Sequence, residues 1–211
     1  MNIPKNWKGV TVQQFQEILP IYKKTLEETD SIKVIDHWVN IIAILADCFT
    51  EQVEELPIPK IKSIISSLSW LNLDKINGNK KITLFLNGKL YKAAKEAKEF
   101  NAGRYIEYKT FLGRGGLIKD MHFILATIYQ PYFKSEQTHE ERAKEFLKAK
   151  MSDVYPTVFF YSKVWLNSIK TIQAYGLKLA KEKNKEAEAL LMATLREILE
   201  SDGNGIVQST R

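Results

Sequence analysis

Residues 31–49 read SIKVIDHWVNIIAILADCF, and the spacing of their apolar side chains sets the structural class. Apolar residues recur three and four positions apart from Ile32 to Leu45, which is the repeat of one face of an α-helix. Toward its end the stretch is apolar almost all round, so we expect that end to be buried. A buried helix of this length predicts a mainly α-helical protein.

Helical signals continue on both sides of this stretch. Two helix starts carry capping boxes, in which a threonine and a Gln or Glu three residues later bond each other's backbone N–H groups. These pairs are Thr11 with Gln14 and Thr138 with Glu141. Helical spacing also predicts helices over 11–28, 59–71, 101–112, 117–129, 139–150, 157–182 and 184–200. The chain is therefore predicted to form an irregular multi-helix domain.

One segment of the sequence predicts strands. Residues 82–92 read ITLFLNGKLYK, in which Asn87-Gly88 separates two short runs rich in apolar side chains. An Asn-Gly pair between such runs indicates a β-hairpin, because both turn positions need a positive φ. A lone hairpin is barely stable in water, so this one must pack on the helices or join strands from elsewhere.

Length and composition indicate a single folded unit. The 211 residues are 45% hydrophobic and 27% charged, which is enough to bury a core without metal or disulfide. We predict one helical domain over 1–200, with the hairpin as an insertion at 80–93. The last residues, 201–211, have the composition of a flexible tail.

The charge of the chain is moderately basic, with a net charge of +6. A basic balance favours contact with polyanions. The densest basic stretch holds Lys80, Lys81, Lys89, Lys92, Lys95 and Lys98. Elsewhere lysines alternate with glutamates, which is typical of solvated helix faces. Nucleic-acid binding is therefore kept as an alternative function.

Residues that carry chemistry are scarce in this sequence. Cys48, the one cysteine, has no disulfide partner and is predicted to be a small buried side chain. His37, His122 and His139 fall on different predicted helices, without a second ligand at helical spacing. No nucleophile elbow, phosphate-binding loop or dinucleotide fingerprint is present. We therefore predict no catalytic residues, no metal and no cofactor.

A glycine-rich turn precedes one helix. Glycines at a helix amino terminus leave N–H groups free to hold an anion, and Arg114 beside Gly115 and Gly116 would add a fork of donors. The lysine and hydroxyl of a phosphate-binding loop are missing, and no strand clearly precedes the turn. A plain turn between helices is the favoured interpretation, and an anion site at these three residues is the alternative.

Aromatic side chains supply the candidate partner-binding residues. The stretch around 158–166 is apolar on more than one side, and an excess apolar face on a soluble protein marks a partner site. The hairpin adds further apolar side chains that must be covered. The candidates are Leu84, Phe85, Tyr91, Phe159, Phe160 and Trp165.

Several short phrases resemble a known class of proteins. They are Trp7 with VTVQQF at 10–15, the helix at 32–49, TEQVEELP at 50–57, the helix at 61–70, AGRYIE at 102–107 and ILATIYQP at 124–131. Together they resemble the tail assembly chaperones, or similar morphogenesis proteins, of tailed bacteriophages. The hairpin and the carboxy-terminal helices are not part of the likeness. The resemblance implies a protein without catalytic activity that binds tail or other virion proteins, and self-association would fit it as well.

Three hypotheses therefore compete. The first is a phage assembly or virion protein that works by protein–protein contact through apolar helical faces. The second is a basic helical protein associated with nucleic acid or packaged with the genome, and the third is an enzyme of unrecognised type. Because no signal segment and no membrane span is evident, we expect the protein in the host cytoplasm or incorporated in the virion.

Overall fold

The computed structural model of the chain describes residues 1–72, 76, 79–94 and 100–203, and leaves aside the side chains of 165–176, 187 and 194–203. Its contacts divide the chain into two units, Met1–Ser162 and Lys163–Arg211. The division falls inside the single domain expected over 1–200, which stays a prediction. The tail expected at 201–211 lies mostly outside the described residues.

The amino-terminal part of the first unit is a set of four helices. They are α1 (Val12–Glu27), α2 (Ser31–Ala46), α3 (Thr50–Glu54) and α4 (Ile58–Ser67). The capping box of Thr11 with Gln14 is confirmed at the start of α1. Helix α2 ends earlier than predicted because Asp47, with φ 51°, adopts the left-handed conformation that stops a helix.

Strands β1 (Thr83–Leu86) and β2 (Lys89–Ala93) form the predicted hairpin. Asn87 and Gly88 have φ values of 51° and 76°, as the Asn-Gly turn requires. A third strand, β3 (Tyr129–Pro131), adds antiparallel to β2, so the sheet order is β1-β2-β3. The predicted mainly α-helical class with a short hairpin is confirmed, and the sheet has one strand more than expected.

Four further helices follow the hairpin. They are α5 (Ala102–Lys119), α6 (Met121–Ile128), α7 (His139–Phe146) and α8 (Met151–Gly203). The expected break at the glycine-rich turn is present at Gly116, whose φ of 72° and ψ of 177° interrupt α5. The capping box of Thr138 with Glu141 is confirmed at the start of α7.

The last two predicted helices are one. The expected boundary between 157–182 and 184–200 is wrong, because α8 runs through it from Met151 to Gly203. The stretch 181–190 holds Lys, Glu, Ala and Leu with one Asn, and no Gly or Pro, so nothing in it stops a helix. None of the described helices combines the length and the apolar character that crossing a bilayer would need.

The core of the first unit joins the sheet to the helices. Tyr91 of β2 and Tyr129 of β3 pack their rings 5.2 Å and 5.7 Å from the ring of Phe146 on α7. All three side chains are fully buried. At the amino terminus, Trp7 packs edge-on against Phe15 of α1. The sheet is therefore covered on one face. The accessibility of the side chains on its other face is described below.

The second unit consists, within its described residues, of the continuation of α8. Its apolar side chains include Leu177, Leu191 and Met192, each more than half exposed. Lys178 and Glu182 lie one helical turn apart with their charged atoms at 3.9 Å. Pairs of this kind support an exposed helix only weakly.

Candidate partner-binding surfaces

The two faces of the sheet differ in burial. Side chains along a strand alternate between faces, so Leu84 and Tyr91 share one face while Phe85 and Leu90 share the other. Leu84 is 6% exposed and Tyr91 is fully buried, whereas Phe85 is 72% exposed. Leu84 and Tyr91 were predicted as partner-binding residues and instead belong to the core. Phe85 lies where a partner can reach it.

We call the sheet surface the group formed by Phe85 and Leu90 on the outward face and by Tyr132 and Phe133, which follow β3. Phe85 and Leu90 are a cross-strand pair, and the N–H of Tyr132 donates to the carbonyl of Leu90 at 2.8 Å. The rings of Tyr132 and Phe133 pack edge to face with centroids 5.1 Å apart. Tyr132 is 54% and Phe133 71% exposed. Sequence reasoning missed both, because it predicted the end of a helix over 117–129 and no strand at β3.

A cavity of about 310 Å³ opens on the sheet surface. Phe85 and Leu90 of the hairpin line it together with Phe133 and Lys134, which follow β3. Its walls therefore come from two segments far apart in sequence. An apolar side chain of a partner could insert there, with a lysine at the rim.

A polar network under the hairpin holds the sheet to α7. Glu145 accepts hydrogen bonds from the Tyr91 hydroxyl at 2.5 Å, from the Lys89 ammonium at 2.6 Å and from the Gln137 amide at 2.7 Å. Burial by itself would raise the pKa of Glu145, but these donors outweigh it and lower that pKa below its usual value. Burial, followed by the hydrogen bond to Glu145, raises the pKa of Tyr91 far above its usual value. The hairpin is thus fixed from below while its outer face stays open.

Helix α8 carries a second apolar area within the first unit, formed by Phe159 and Phe160. They are 44% and 37% exposed. The Phe159 ring stacks on Tyr155 at 6.1 Å, and the Lys80 ammonium lies 3.9 Å from the Phe160 ring centroid. Trp165, the third candidate predicted on this helix, has a side chain outside the described residues.

The glycine-rich turn already holds a carboxylate from the same chain. The Arg114 guanidinium donates two hydrogen bonds of 3.0 Å to the oxygens of Asp120, which is itself buried. A Cβ atom at Gly115 would lie 2.7 Å from an oxygen of Asp120, so the glycine leaves room for this carboxylate. Gly116 supplies the kink that lets residues on either side of it meet. An anion from solution at Arg114, Gly115 and Gly116 stays a prediction, and it would compete with Asp120.

Two of the histidines come closer together than the sequence indicated. His139 stacks at 5.3 Å on Phe111 and lies parallel to Phe123 at 6.0 Å, while His122 packs 4.3 Å from Phe123. Burial lowers the pKa of both histidines, and the Glu107 carboxylate opposes that shift at His139. Among the described residues, no three His, Cys, Asp or Glu side chains are placed to share a metal ion.

A cavity of about 670 Å³ lies beside α1 and α2 and has a polar lining. Glu17, Asn40, Asp47, Cys48 and Lys150 contribute to it. Cys48 is half-buried, so its predicted full burial is wrong. The described residues that line this cavity include no histidine that could serve Cys48 as a base. The cavity therefore offers little support to a cysteine nucleophile.

Comparisons of the chain with protein-family models, with curated proteins and with solved structures found no match.

Proposed function

We propose that this chain is a non-enzymatic assembly protein of a tailed bacteriophage, which binds tail or other virion proteins through its exposed aromatic surfaces. The observation that carries the proposal is the sheet surface, where Phe85 and Phe133 line one cavity, Tyr132 packs on Phe133, and each of the three is more than half exposed. The phage setting comes from the resemblance at Trp7 and at residues 10–15, 32–57, 61–70, 102–107 and 124–131.

The clustering of these side chains matters more than their number. Single exposed apolar residues are ordinary, but a contiguous group on a soluble protein marks an interaction site. Burying one fully exposed side chain of this kind is worth about 1.5–3 kcal/mol. Because Phe85, Tyr132 and Phe133 are 72%, 54% and 71% exposed, a partner that covers all three gains about twice that before the costs of association. Aromatic residues are also enriched where interfaces bind most tightly. We place the main contact on the sheet surface, and a contact through the apolar helical faces stays a prediction.

Co-expression with the proteins encoded by neighbouring genes tests this proposal. We expect a tagged chain to co-purify with a tail or virion protein, and Phe133→Asp to abolish that complex. Phe49→Asp is the matched control, because Phe49 is 78% exposed but does not belong to the sheet surface. No complex with any of these proteins, or equal loss in both variants, would remove the proposal.

The second candidate is binding of single-stranded nucleic acid to the same surface. Exposed Lys92 and Lys134 lie among the aromatic side chains, and aromatic rings with nearby cations are what bases and phosphates require. The predicted lysines at 95 and 98 lie outside the described residues. A gel shift with single-stranded DNA at about 50 mM salt tests it, because counterion release makes such binding strongest at low salt.

A further inference from the structure

The two edges of the sheet are not equivalent. The Tyr132 N–H bonds to Leu90, so Tyr129 and Pro131 turn their backbone groups away from β2, toward the outer edge of β3. That edge is closed to a new strand, because the Tyr129 N–H already bonds to Leu125 and proline has no N–H. Strand β3 therefore ends the sheet on its side.

Among the residues that the structure describes, strand β1 is an open edge. The N–H of Ala93 donates to the carbonyl of Ile82 at 2.7 Å, so in the alternating pattern Ile82, Leu84 and Leu86 face β2. Thr83 and Phe85 then direct their N–H and C=O groups outward. Within the ranges that the structure describes, no residue pairs with these groups.

Apart from its short length of four residues, this edge lacks the devices that usually protect edges. Natural edge strands carry proline, charged side chains or bulges that prevent pairing with another chain. Thr83–Leu86 has none of these and places Phe85 at 72% exposure. An unprotected edge with a large exposed aromatic side chain is suited to accept a strand.

The lysines around the β1 edge indicate the charge of a partner strand. Residues 80–94 contain four lysines and no carboxylate. Lys81 and Lys89 are paired with Asp153 and Glu145 from α8 and α7, while Lys92 is exposed. Carboxylates on an incoming strand would meet this positive segment, whereas lysines would be repelled.

We infer that β1 accepts an extended, acidic segment of another protein as an antiparallel fourth strand. This deepens the proposed function by naming the form and charge of the partner, and it rests on that function. The segment exchanges backbone hydrogen bonds with Thr83 and Phe85. Its apolar side chains lie beside Phe85 on the sheet surface, and its carboxylates meet the exposed Lys92.

The probe is a labelled synthetic peptide, Glu-Glu-Val-Thr-Phe-Thr-Val-Glu-Glu, followed by fluorescence anisotropy on the full chain. In antiparallel pairing the residues beside Phe85 are those whose N–H groups bond to β1. Methylating the amide of the central phenylalanine should therefore weaken binding by at least about tenfold, since it removes a backbone hydrogen bond and adds a clash. Methylating the next threonine amide, which faces away, should change binding by less than about twofold and is the matched control.

Further arms separate the alternatives. We expect the peptide with lysines in place of glutamates to bind at least about tenfold more weakly, because its charges oppose the basic segment. Phe85→Asp should abolish binding of the acidic peptide, and Phe49→Asp should leave it unchanged.

Several results would contradict the inference that β1 accepts a fourth strand. They are an absent or reversed difference between the two methylated peptides, equal binding of the lysine peptide, or no binding at all. Tighter binding of oligo(dT) than of the acidic peptide would point to nucleic acid instead. A dimer in light scattering that Phe85→Asp dissociates would point to a second copy of this chain. The proposed function is judged separately by co-purification: a virion complex sensitive to Phe133→Asp, with no methylation difference, would leave the function standing without the strand.

Discussion

Adjacent residues of the hairpin have opposite roles. Leu84 and Tyr91 are buried, and Tyr91 packs on Phe146 of α7, while Phe85, next in the chain to Leu84, is 72% exposed. The side chains are all large and apolar, so composition does not separate them. The difference shows that in this sheet the alternation of faces, and not hydrophobicity, decides which residues stabilise the fold and which are left for a partner.

The largest loss of stability is expected from a substitution on the buried, inner face of the sheet. Tyr91→Ala should lower the free energy of unfolding by about 3–5 kcal/mol, because it empties a buried aromatic site and leaves Glu145 short of a donor. Urea denaturation followed by circular dichroism measures it. A loss below about 1 kcal/mol, the typical effect of an ordinary substitution, would show that Tyr91 is not core.

The second-largest loss of stability is expected in the polar network beneath the sheet. Glu145→Gln should cost about 1.5–3 kcal/mol at neutral pH, as expected for loss of hydrogen bonds to a charged group. Because the folded protein lowers the pKa of Glu145 below 4.5, its contribution is complete above that pH and is lost as the pH falls through the lowered pKa. Urea midpoints recorded from neutral to acid pH should therefore show a smaller fall for the variant than for the natural chain. Parallel pH curves would contradict this.

A smaller effect is expected at the turn that holds both faces in register. Gly88 has a φ of 76° with open space around it, so Gly88→Ala meets no atom but is strained in its backbone. We expect a loss of about 1 kcal/mol in unfolding free energy. Gly113→Ala is the control, since Gly113 lies inside α5 with equal space and a helical backbone, and it should be neutral or slightly stabilising.

The outer face should show the smallest effect on stability. Phe85→Asp should change the free energy of unfolding by no more than about 0.5 kcal/mol and leave helix content unchanged, since the side chain is exposed. The same variant should weaken assembly with a partner, which size-exclusion chromatography with light scattering would detect. Loss of folding would mean that Phe85 belongs to the core after all.

Local chemistry explains which elements could be predicted. Thr11 and Thr138 cap helices through groups three residues away, and Asn87-Gly88 closes a two-residue turn, so a short window of sequence was sufficient. Strand β3 could not be found in this way. Its partner strand β2 lies some forty residues earlier in the chain, and Tyr129–Pro131 is too short to show the alternation typical of a strand.

The candidate site was predicted only in part for the same reason. Phe85 was identified as a surface residue, but Tyr132 and Phe133 join it only once β3 pairs with β2. The pairing of Arg114 with Asp120 depends on the kink at Gly116, which brings together residues that a straight helix would place apart. Neither contact joins residues at a spacing that a helix or strand pattern in the sequence would indicate.

By itself the sequence determined the mainly helical class, the capped helix starts, the hairpin turn and the basic charge of 80–94, because each follows from residues close together in the chain. Only the tertiary structure decided which hairpin side chains are buried, which edge of the sheet is open, and which aromatic residues form one surface. Those outcomes depend on pairing between distant segments, and a shift of one residue in that pairing would exchange the buried and exposed faces.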